Sequence, residues 1–360
     1  MKLIPGKDEK VPGKETPTAS PAMHSWRPRN WQLLIGVIFS LVFLVLALRG
    51  VDLRETGNTL RRVNVLILCA AVASFVISAA AKAIRWQLLL SVCKVPKFSR
   101  TFSILFVGFM VNAFLPTRLG EFARAYLMGE AEADSKIYVL GTIAVEKVAD
   151  ILSLLLLLAV LLREMTLPEW LAGPARGTAL VFAIVVPCFI LLVWQRDFVL
   201  RMVERTSRFV PKTWQAWLVR QTHNGLSSLD VMRRPRLLIG VFGVSVIIWT
   251  ISALTNYLVF LSLNLAVPVW ASLLLLVVLQ VGTAVPSSPA SIGVFQYLVI
   301  LSLSIFAVNK NIALGYSFVL YLVVYVPIVL LGVWGLWHER ITWGKLTEAL
   351  VRFSNGLKSG

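Results

Sequence analysis

Two arginines and a glutamate, Arg118, Glu121 and Arg124, lie within seven positions of a strongly apolar region. A charge near the centre of a bilayer costs about 2.5–3.5 kcal/mol on insertion scales, so three together require a protein-lined or water-lined environment. Pro116 predicts a break followed by a new helix, since proline is accepted in the first helical turn but not in the interior. The three charges then lie at i, i+3 and i+6, where neighbours can pair. The alternative is a polar helix end in water at the membrane surface.

The residue types in this stretch suit the recognition of phosphate. Arginine presents a rigid, permanently charged fork, so Arg118 and Arg124 fit a phospholipid or lipid-phosphate headgroup. Asn112 and Thr117 add polar groups to the same tip. Glu121 would hold the geometry of the arginines or take part in proton coupling. The alternative is that Glu121 neutralises one arginine purely for folding.

A second charged group, Glu146, Lys147 and Asp150, lies in an apolar segment long enough to span a membrane. Glu146 and Asp150 are one helical turn apart, and Lys147 and Asp150, at i and i+3, could form a structural ion pair. Two acids and one base leave a net negative charge, which the surplus arginine of the first group could offset. We therefore expect Arg118 to contact Glu146.

A third stretch, residues 286–293, is uncharged and reads Pro-Ser-Ser-Pro-Ala-Ser-Ile-Gly, ending at Gly293. Ser288 followed by Pro289 predicts a helix N-cap with proline at the first helical position. A helix N-terminus carries a partial positive charge and free N–H donors, which suits an anionic group. The alternative is a helix break needed only for packing.

Lys82, Arg85 and Trp86 stand at the end of a predicted span. Long basic side chains and tryptophan commonly anchor a helix at the membrane interface while their stems lie in the apolar region. These residues are therefore interfacial anchors or, alternatively, contacts to a lipid headgroup. The anchor interpretation is favoured.

Composition identifies the class of protein that must position these residues. Hydrophobic residues make up 58% of the 360 positions and charged residues 15%, which indicates a polytopic membrane protein. The net charge of +17 comes mostly from gaps between apolar runs, so it indicates contact with anionic lipid headgroups rather than nucleic acid. The three cysteines and three histidines are scattered. We expect no metal site, no cofactor and no catalytic residue.

Hydropathy and charge together predict an all-α protein with about six full spans and two re-entrant hairpins, roughly eight hydrophobic units. Residues 195–236 carry nine basic and three acidic residues, which places this loop in the cytoplasm. That placement requires the two shorter apolar segments to dip into the membrane and return. The predicted full spans are 31–48, 63–84, 138–162, 178–194, 237–262 and 312–337, and the predicted hairpins are 101–130 and 270–307.

The order of span, hairpin and span occurs at 63–162 and again at 237–337, in opposite orientations. Such an inverted repeat is typical of transporters, whose broken helices meet near the midplane. Residues 1–29 are expected to be a disordered cytoplasmic tail, residues 30–340 the transmembrane domain and residues 341–360 a second cytoplasmic tail. We expect a multi-pass protein of the inner, cytoplasmic membrane.

Four stretches resemble the lysylphosphatidylglycerol synthase transmembrane-region family, also described as flippase-like or UPF0104 integral membrane proteins. They are Asn112–Glu121 with Arg124, Glu146–Asp150, Arg85-Trp86, and Pro286–Pro289 with Gly293. The resemblance implies a lipid flippase or a relative of one, acting on an anionic phospholipid, an aminoacyl lipid or a glycolipid. It also implies that some members form homodimers and that others assist enzymes that modify lipids or glycans.

The sequence departs from the family pattern at Ala290, Lys147 and Gln296, where the family often has glycine, arginine and an acid. The last change removes a candidate carboxylate from the second half. The residues after the final predicted span are too few for a synthase domain, so we expect no lysyl transfer. Two alternatives to a flippase remain: a non-transporting membrane partner of a lipid- or glycan-modifying enzyme, and a polyprenyl-phosphate-dependent glycosyltransferase.

Overall fold

The computed structural model describes residues 41–91, 94–115, 119–132, 134–166, 234–283 and 289–342, together with isolated residues between these ranges. Within these residues the secondary structure is helical and none lies in a strand. The predicted all-α class is therefore confirmed for the described part of the chain. The tails, the span predicted at 178–194 and the basic loop at 195–236 lie wholly or mostly outside it.

The helices are named in chain order. They are α1 Leu53–Arg61, α2 Val65–Leu90, α3 Phe98–Phe114, α4 Gly120–Ala131, α5 Lys136–Glu164, α6 Pro235–Ser262, α7 Val269–Gly282, α8 Val294–Ser304 and α9 Lys310–His338. Residues 41–48 are also helical.

Local sequence explains where several of these helices begin. The Asn64 side chain accepts hydrogen bonds from the backbone N–H groups of Leu66 and Ile67 and so caps α2. Ser135 caps α5 in the same way, and Asn309 caps α9. Pro235 stands in the first turn of α6, where its missing N–H costs nothing.

Helices α2, α6 and α9 are each long and apolar enough to cross a membrane. Helix α5 has 29 residues, also sufficient length, but carries three charged side chains near its middle. Helices α3, α7 and α8 are apolar but have only 17, 14 and 11 residues, fewer than the ~20 that a span requires. The described residues therefore belong to a multi-pass membrane protein that combines long spans with shorter apolar helices.

The first predicted hairpin consists of α3 and α4, which pack against each other with their backbones in contact. A Cβ placed on Gly120 would lie 2.0 Å from the carbonyl oxygen of Gly108, so neither position has room for a side chain. The Asn112 side chain accepts a hydrogen bond from the Gly120 N–H at 2.7 Å and helps to hold the start of α4. The two arms therefore form one tightly packed unit.

The second predicted hairpin consists of α7 and α8, and the described residues between them include a 3₁₀ turn at Pro289–Ser291. The expected Ser288 cap lies outside the described residues; Pro289 begins only a 3₁₀ turn rather than the expected helix, and α8 begins at Val294. Ala290 and Ser291 have φ values of 56° and 53°, a left-handed conformation in which a right-handed helix cannot continue. Gly293 is the N-cap, and its N–H donates to the Gln296 side chain at 2.7 Å.

The helix contacts of the first half recur in the second half. If α2, α3, α4 and α5 are matched with α6, α7, α8 and α9, each packed pair in one half has a packed counterpart in the other. Helices α2 and α6 pack against each other extensively. The match is unequal in one place, because α3 packs more extensively against α9 than α7 packs against α5. The 3₁₀ turn of the second hairpin also contacts α3, so the two hairpins meet.

At one end of the bundle, ion pairs tie α9 to the ends of the first hairpin. Glu132, which follows α4, forms ion pairs with Lys94 at 2.7 Å and with Arg100 at 2.6 Å. Arg100 also lies 3.6 Å from Glu339, which follows α9. Burial alone would raise the pKa of Glu132, but the hydrogen bonds from Lys94 and Arg100 outweigh it and hold the pKa below its usual value of 4.5.

Candidate functional site

Arg85 lies at the centre of a buried ionic network that joins three long helices. Its side chain is fully buried, and it binds both carboxylate oxygens of Asp150 with N–O distances of 2.5 and 3.2 Å. Its Nη2 lies 3.2 Å from Glu146, and its Nη1 donates to the Ser245 hydroxyl at 2.8 Å. Trp249 donates its ring N–H to Asp150 at 2.9 Å. Arg85 therefore connects α2, α5 and α6.

Arg124 extends this network to the first hairpin. Its two terminal nitrogens donate to the two oxygens of Glu146 at 3.3 and 2.8 Å, a bidentate pair in which both side chains are almost completely buried. The guanidinium lies 4.1 Å from the centre of the Trp86 ring, and Trp86 donates to the Thr142 hydroxyl. The Nε atoms of both arginines are buried without an acceptor among the described residues.

A second ion pair stands beside the first and is more exposed to solvent. Lys147 lies 3.1 Å from Glu121, and half of the Lys147 side chain is exposed. The Asn112 amide donates to the other oxygen of Glu121 at 3.2 Å. Glu121 thus joins the two arms of the first hairpin to α5.

A cavity of about 540 Å³ opens beside this network. One side is charged or polar, with Lys82, Glu146, Lys147, Asp150 and Gln280 in its lining. The other side is apolar and is formed by α5 and α7; its members are Ile151, Leu154, Leu155, Leu158, Val277 and Val281. The cavity therefore offers charge and hydrocarbon surface together.

A smaller cavity of about 240 Å³ lies among α2, α6, α7, α8 and α9. It shares Lys82, Phe109, Trp249 and Gln280 with the larger one, so the two meet at these residues. The rest of its lining is rich in uncharged polar and aromatic residues: Ser252, Thr255, Asn256, Thr283, Phe295 and Tyr325.

Many of the predicted site residues lie together in the structure. They form two neighbouring groups: Arg124, Glu146 and Asp150 are linked through Arg85, and Asn112 and Lys147 both contact Glu121. Pro116, Thr117, Arg118 and Ser288 lie outside the described residues, so the expected contact between Arg118 and Glu146 stays a prediction. Pro289 and Gly293 belong to the second hairpin tip, which contacts α3.

Two expectations about pairing and position need correction. Asp150 pairs with Arg85 rather than with Lys147, because α5 turns Lys147 toward Glu121 of α4. Arg85 and Trp86 do not reach a surface: both are 0% exposed and stand within α2, which continues to Leu90. They pack inside the bundle and are not interfacial anchors. Lys82, one turn earlier, lines both cavities.

Sequence reasoning did not select Ser245, Trp249 and Gln280, which contribute to the network or to the cavity walls. A serine and a tryptophan inside a long apolar span give little signal, because both also occur in helix packing. Within the described residues, no group of three or more His, Cys, Asp or Glu side chains could hold a metal ion.

An apolar helical bundle with long spans, a buried ionic network and an internal cavity defines a polytopic membrane protein. A family described as "Lysylphosphatidylglycerol synthase TM region" matches residues 33–332. The chain belongs to this family.

The chain is also similar to the UPF0104 membrane protein MJ1078 of Methanocaldococcus jannaschii. The two are 26% identical over 226 residues, which cover 62% of this chain and 91% of that protein. No solved structure matches this chain. The resemblance expected from the motifs is thereby confirmed, and the family indicates a membrane protein related to lipid handling.

Proposed function

We propose that this protein moves a lipid with an anionic, aminoacylated or glycosylated headgroup between the two leaflets of the cytoplasmic membrane. The observation that carries the proposal is the cavity of about 540 Å³, whose wall combines the charged residues of α2 and α5 with the leucine-rich surface of α5 and α7. A headgroup needs the first kind of surface and an acyl or polyprenyl chain needs the second.

The arrangement of the helices supports a transporter. The matched contacts of α2–α5 and α6–α9 are those expected of an internal repeat, and the charge distribution of the sequence favours opposite orientations for the two halves. In this proposal both termini are cytoplasmic and both hairpins are re-entrant. The two short apolar hairpins then meet beside the cavity within the membrane, where irregular backbone is tolerated only against protein or water.

The ionic network has a defined part in this function. Charged groups at membrane depth mark sites and pathways of polar cargo more often than they serve packing alone. The pair between Glu121 and Lys147 joins the first hairpin to α5 at the edge of the cavity, so a passing headgroup that competes for either side chain would loosen this contact. Arg118, at the tip of the same hairpin, would supply a further cation.

Leaflet exchange in proteoliposomes tests the proposal. Purified protein is reconstituted with a fluorescent phosphatidylglycerol, a fluorescent aminoacyl lipid or a labelled polyprenyl-phosphate sugar, and the inner-leaflet fraction is followed by quenching from outside. We expect exchange by the native protein and its loss in an Arg118→Ala, Glu121→Ala double variant.

A matched control is the Arg54→Ala, Glu130→Ala double variant, which removes the same two charge types from exposed positions away from the cavity. It should exchange lipid at the native rate. If the native protein exchanges none of the three lipids, translocation is refuted and a partner role for a lipid- or glycan-modifying enzyme becomes the better explanation.

A further inference from the structure

Lys82 is the basic side chain that the ion pairs around the cavity leave without an acidic partner. Among the described residues, the charged side chains of this region are four bases, Lys82, Arg85, Arg124 and Lys147, and three acids, Glu121, Glu146 and Asp150. Each acid is already paired with an arginine or with Lys147. The described residues of this region therefore carry one positive charge in excess, at Lys82.

The position of Lys82 suits a ligand that enters the cavity. Its ammonium lies 5.1 Å from the centre of the Trp249 ring and 5.6 Å from that of Phe109, and within the described part of the chain it makes no hydrogen bond or ion pair. Contacts with aromatic rings offset part of the cost of removing an ammonium from water, but they do not supply the hydrogen-bond acceptors that it loses. An anion in the cavity would supply them.

The surroundings of Lys82 define what else the ligand should contain. On one side stands the leucine-rich wall between α5 and α7, suited to a hydrocarbon chain. The smaller cavity is lined by hydroxyl, amide and aromatic groups together with aliphatic side chains, and Lys82 is the only charged residue in this lining. Gln280, an exposed residue, lines both cavities together with Lys82.

We propose that Lys82 binds the phosphate of a monoanionic phospholipid whose headgroup is uncharged and carries hydroxyl groups. The acyl chains lie along the α5–α7 wall, and the headgroup enters the smaller cavity near Asn256 and Gln280. The phosphodiester charge balances the ammonium of Lys82. An aminoacylated headgroup would instead bring a further positive charge toward Lys82, which disfavours it. This assignment rests on the proposed function, which supplies a lipid as the cargo, and it specifies the class of that lipid.

Binding in detergent separates this assignment from transport. The probes are dioctanoyl phosphatidylglycerol, its lysyl ester and glycerol 3-phosphate, each titrated into purified protein. We expect the first to bind, the lysyl ester to bind at least several-fold more weakly, and glycerol 3-phosphate not to bind measurably because it lacks acyl chains. Equal binding of glycerol 3-phosphate would identify a soluble phosphate ligand and overturn the lipid assignment. Equal or tighter binding of the lysyl ester would overturn the charge argument.

Substitutions then locate the phosphate. Lys82→Met keeps the length of the side chain and should lower the affinity for dioctanoyl phosphatidylglycerol by at least about tenfold, the effect of losing one charge-assisted hydrogen bond. Lys82→Arg should retain the affinity within a few-fold. Lys94→Met, which removes a lysine from the exposed end of the bundle, should leave it unchanged.

The same variants in the leaflet-exchange assay distinguish the two proposals. If the native protein exchanges phosphatidylglycerol and Lys82→Met does so equally well and binds it equally well, the role of Lys82 is refuted while translocation stands. If the native protein exchanges no lipid but loses its affinity for dioctanoyl phosphatidylglycerol on Lys82→Met, translocation is refuted while the binding site stands.

Discussion

Replacement of Arg124 by methionine tests whether this arginine holds the protein together or binds cargo. In the structure its two terminal nitrogens are both committed to Glu146, at 2.8 and 3.3 Å, and its side chain is 3% exposed. Methionine is of similar length and apolar, so it can occupy the space against Trp86 without a cavity. The change leaves Glu146 buried with only Arg85, 3.2 Å away, as its remaining basic partner.

The expected magnitude follows from the loss of one member of a buried pair. Such changes cost about 3–5 kcal/mol because they leave an uncompensated charge. Since Arg85 still contacts Glu146, we expect the lower end of that range, about 3 kcal/mol. The matched double variant, Arg124→Met with Glu146→Gln, removes the stranded charge and should recover most of this loss. The free energy of unfolding is measured by titrating denaturing detergent into mixed micelles and following tryptophan fluorescence.

Leaflet exchange by the same three proteins separates the two roles. Because both nitrogens are occupied by Glu146, we expect exchange to fall in the single variant and to return in the double variant along with stability. The sequence-based assignment of Arg124 to a lipid phosphate predicts the opposite, that exchange stays lost although stability returns. A single variant destabilised by less than about 1 kcal/mol would refute the buried-pair reasoning itself.

Three further results are expected. Arg85→Leu should destabilise the protein more than Arg124→Met in the same titration, because it removes both hydrogen bonds to one carboxylate and a contact to a second. Gly120→Ala should lower the unfolding midpoint or abolish folding, since its Cβ would lie 2.0 Å from a backbone oxygen. The control Gly240→Ala should do neither, because nothing lies within 4 Å of the added Cβ. Equal midpoints for the two variants would contradict the close approach of the two hairpin arms. The folded pKa of the Glu132 carboxylate lies below its unfolded value of 4.5, so its contribution to stability is complete above about pH 5 and is lost as the pH falls through the folded pKa. Glu132→Gln should therefore flatten the fall in the unfolding midpoint between about pH 5 and pH 3. An unchanged pH profile would show that the ion pairs of Glu132 do not form.

Hydropathy alone located most of the described helices, because in a chain with 58% hydrophobic residues the short polar stretches show where one apolar span ends and the next begins. The spans predicted at 63–84, 237–262 and 312–337 correspond to α2, α6 and α9, although α2 continues six residues further, to Leu90. That continuation explains the error at Arg85 and Trp86. Their basic and aromatic character resembles an interfacial end, and only the partners on α5 and α6 show that they lie inside.

The choice of ionic partners could not be read from spacing. Successive residues of an α-helix point about 100° apart, so Lys147 faces a different neighbour from Glu146 although the two are adjacent. Lys147 reaches Glu121 on α4, whereas Glu146 and Asp150, one turn apart, both face Arg85 on α2. Which arginine meets which acid depends on how four helices pack, and this information lies in their apolar faces rather than in the charged motifs.

The second hairpin shows a similar limit. Ser288-Pro289 has the composition of a helix start, but the following two residues adopt left-handed conformations and the helix begins after Gly293. Gln296, where the family resemblance led us to expect an acid, accepts the N–H of Gly293 through a neutral amide. A carboxylate would accept the same hydrogen bond, so the substitution removes a charge without removing the cap.

The unequal contacts of the two halves bear on how the bundle could move. Helix α3 is closely packed on α9, where Gly332 leaves room for Met110, while the matching helices α7 and α5 are less closely packed and border the large cavity. If the two halves are a true repeat, as proposed, we expect a second packing in which their roles are exchanged: α7 closes on α5, and α3 separates from α9. If the halves are inverted, as proposed, this exchange would carry the opening to the other face of the membrane, and one sequence would provide two end states of a transport cycle without any new contact surface.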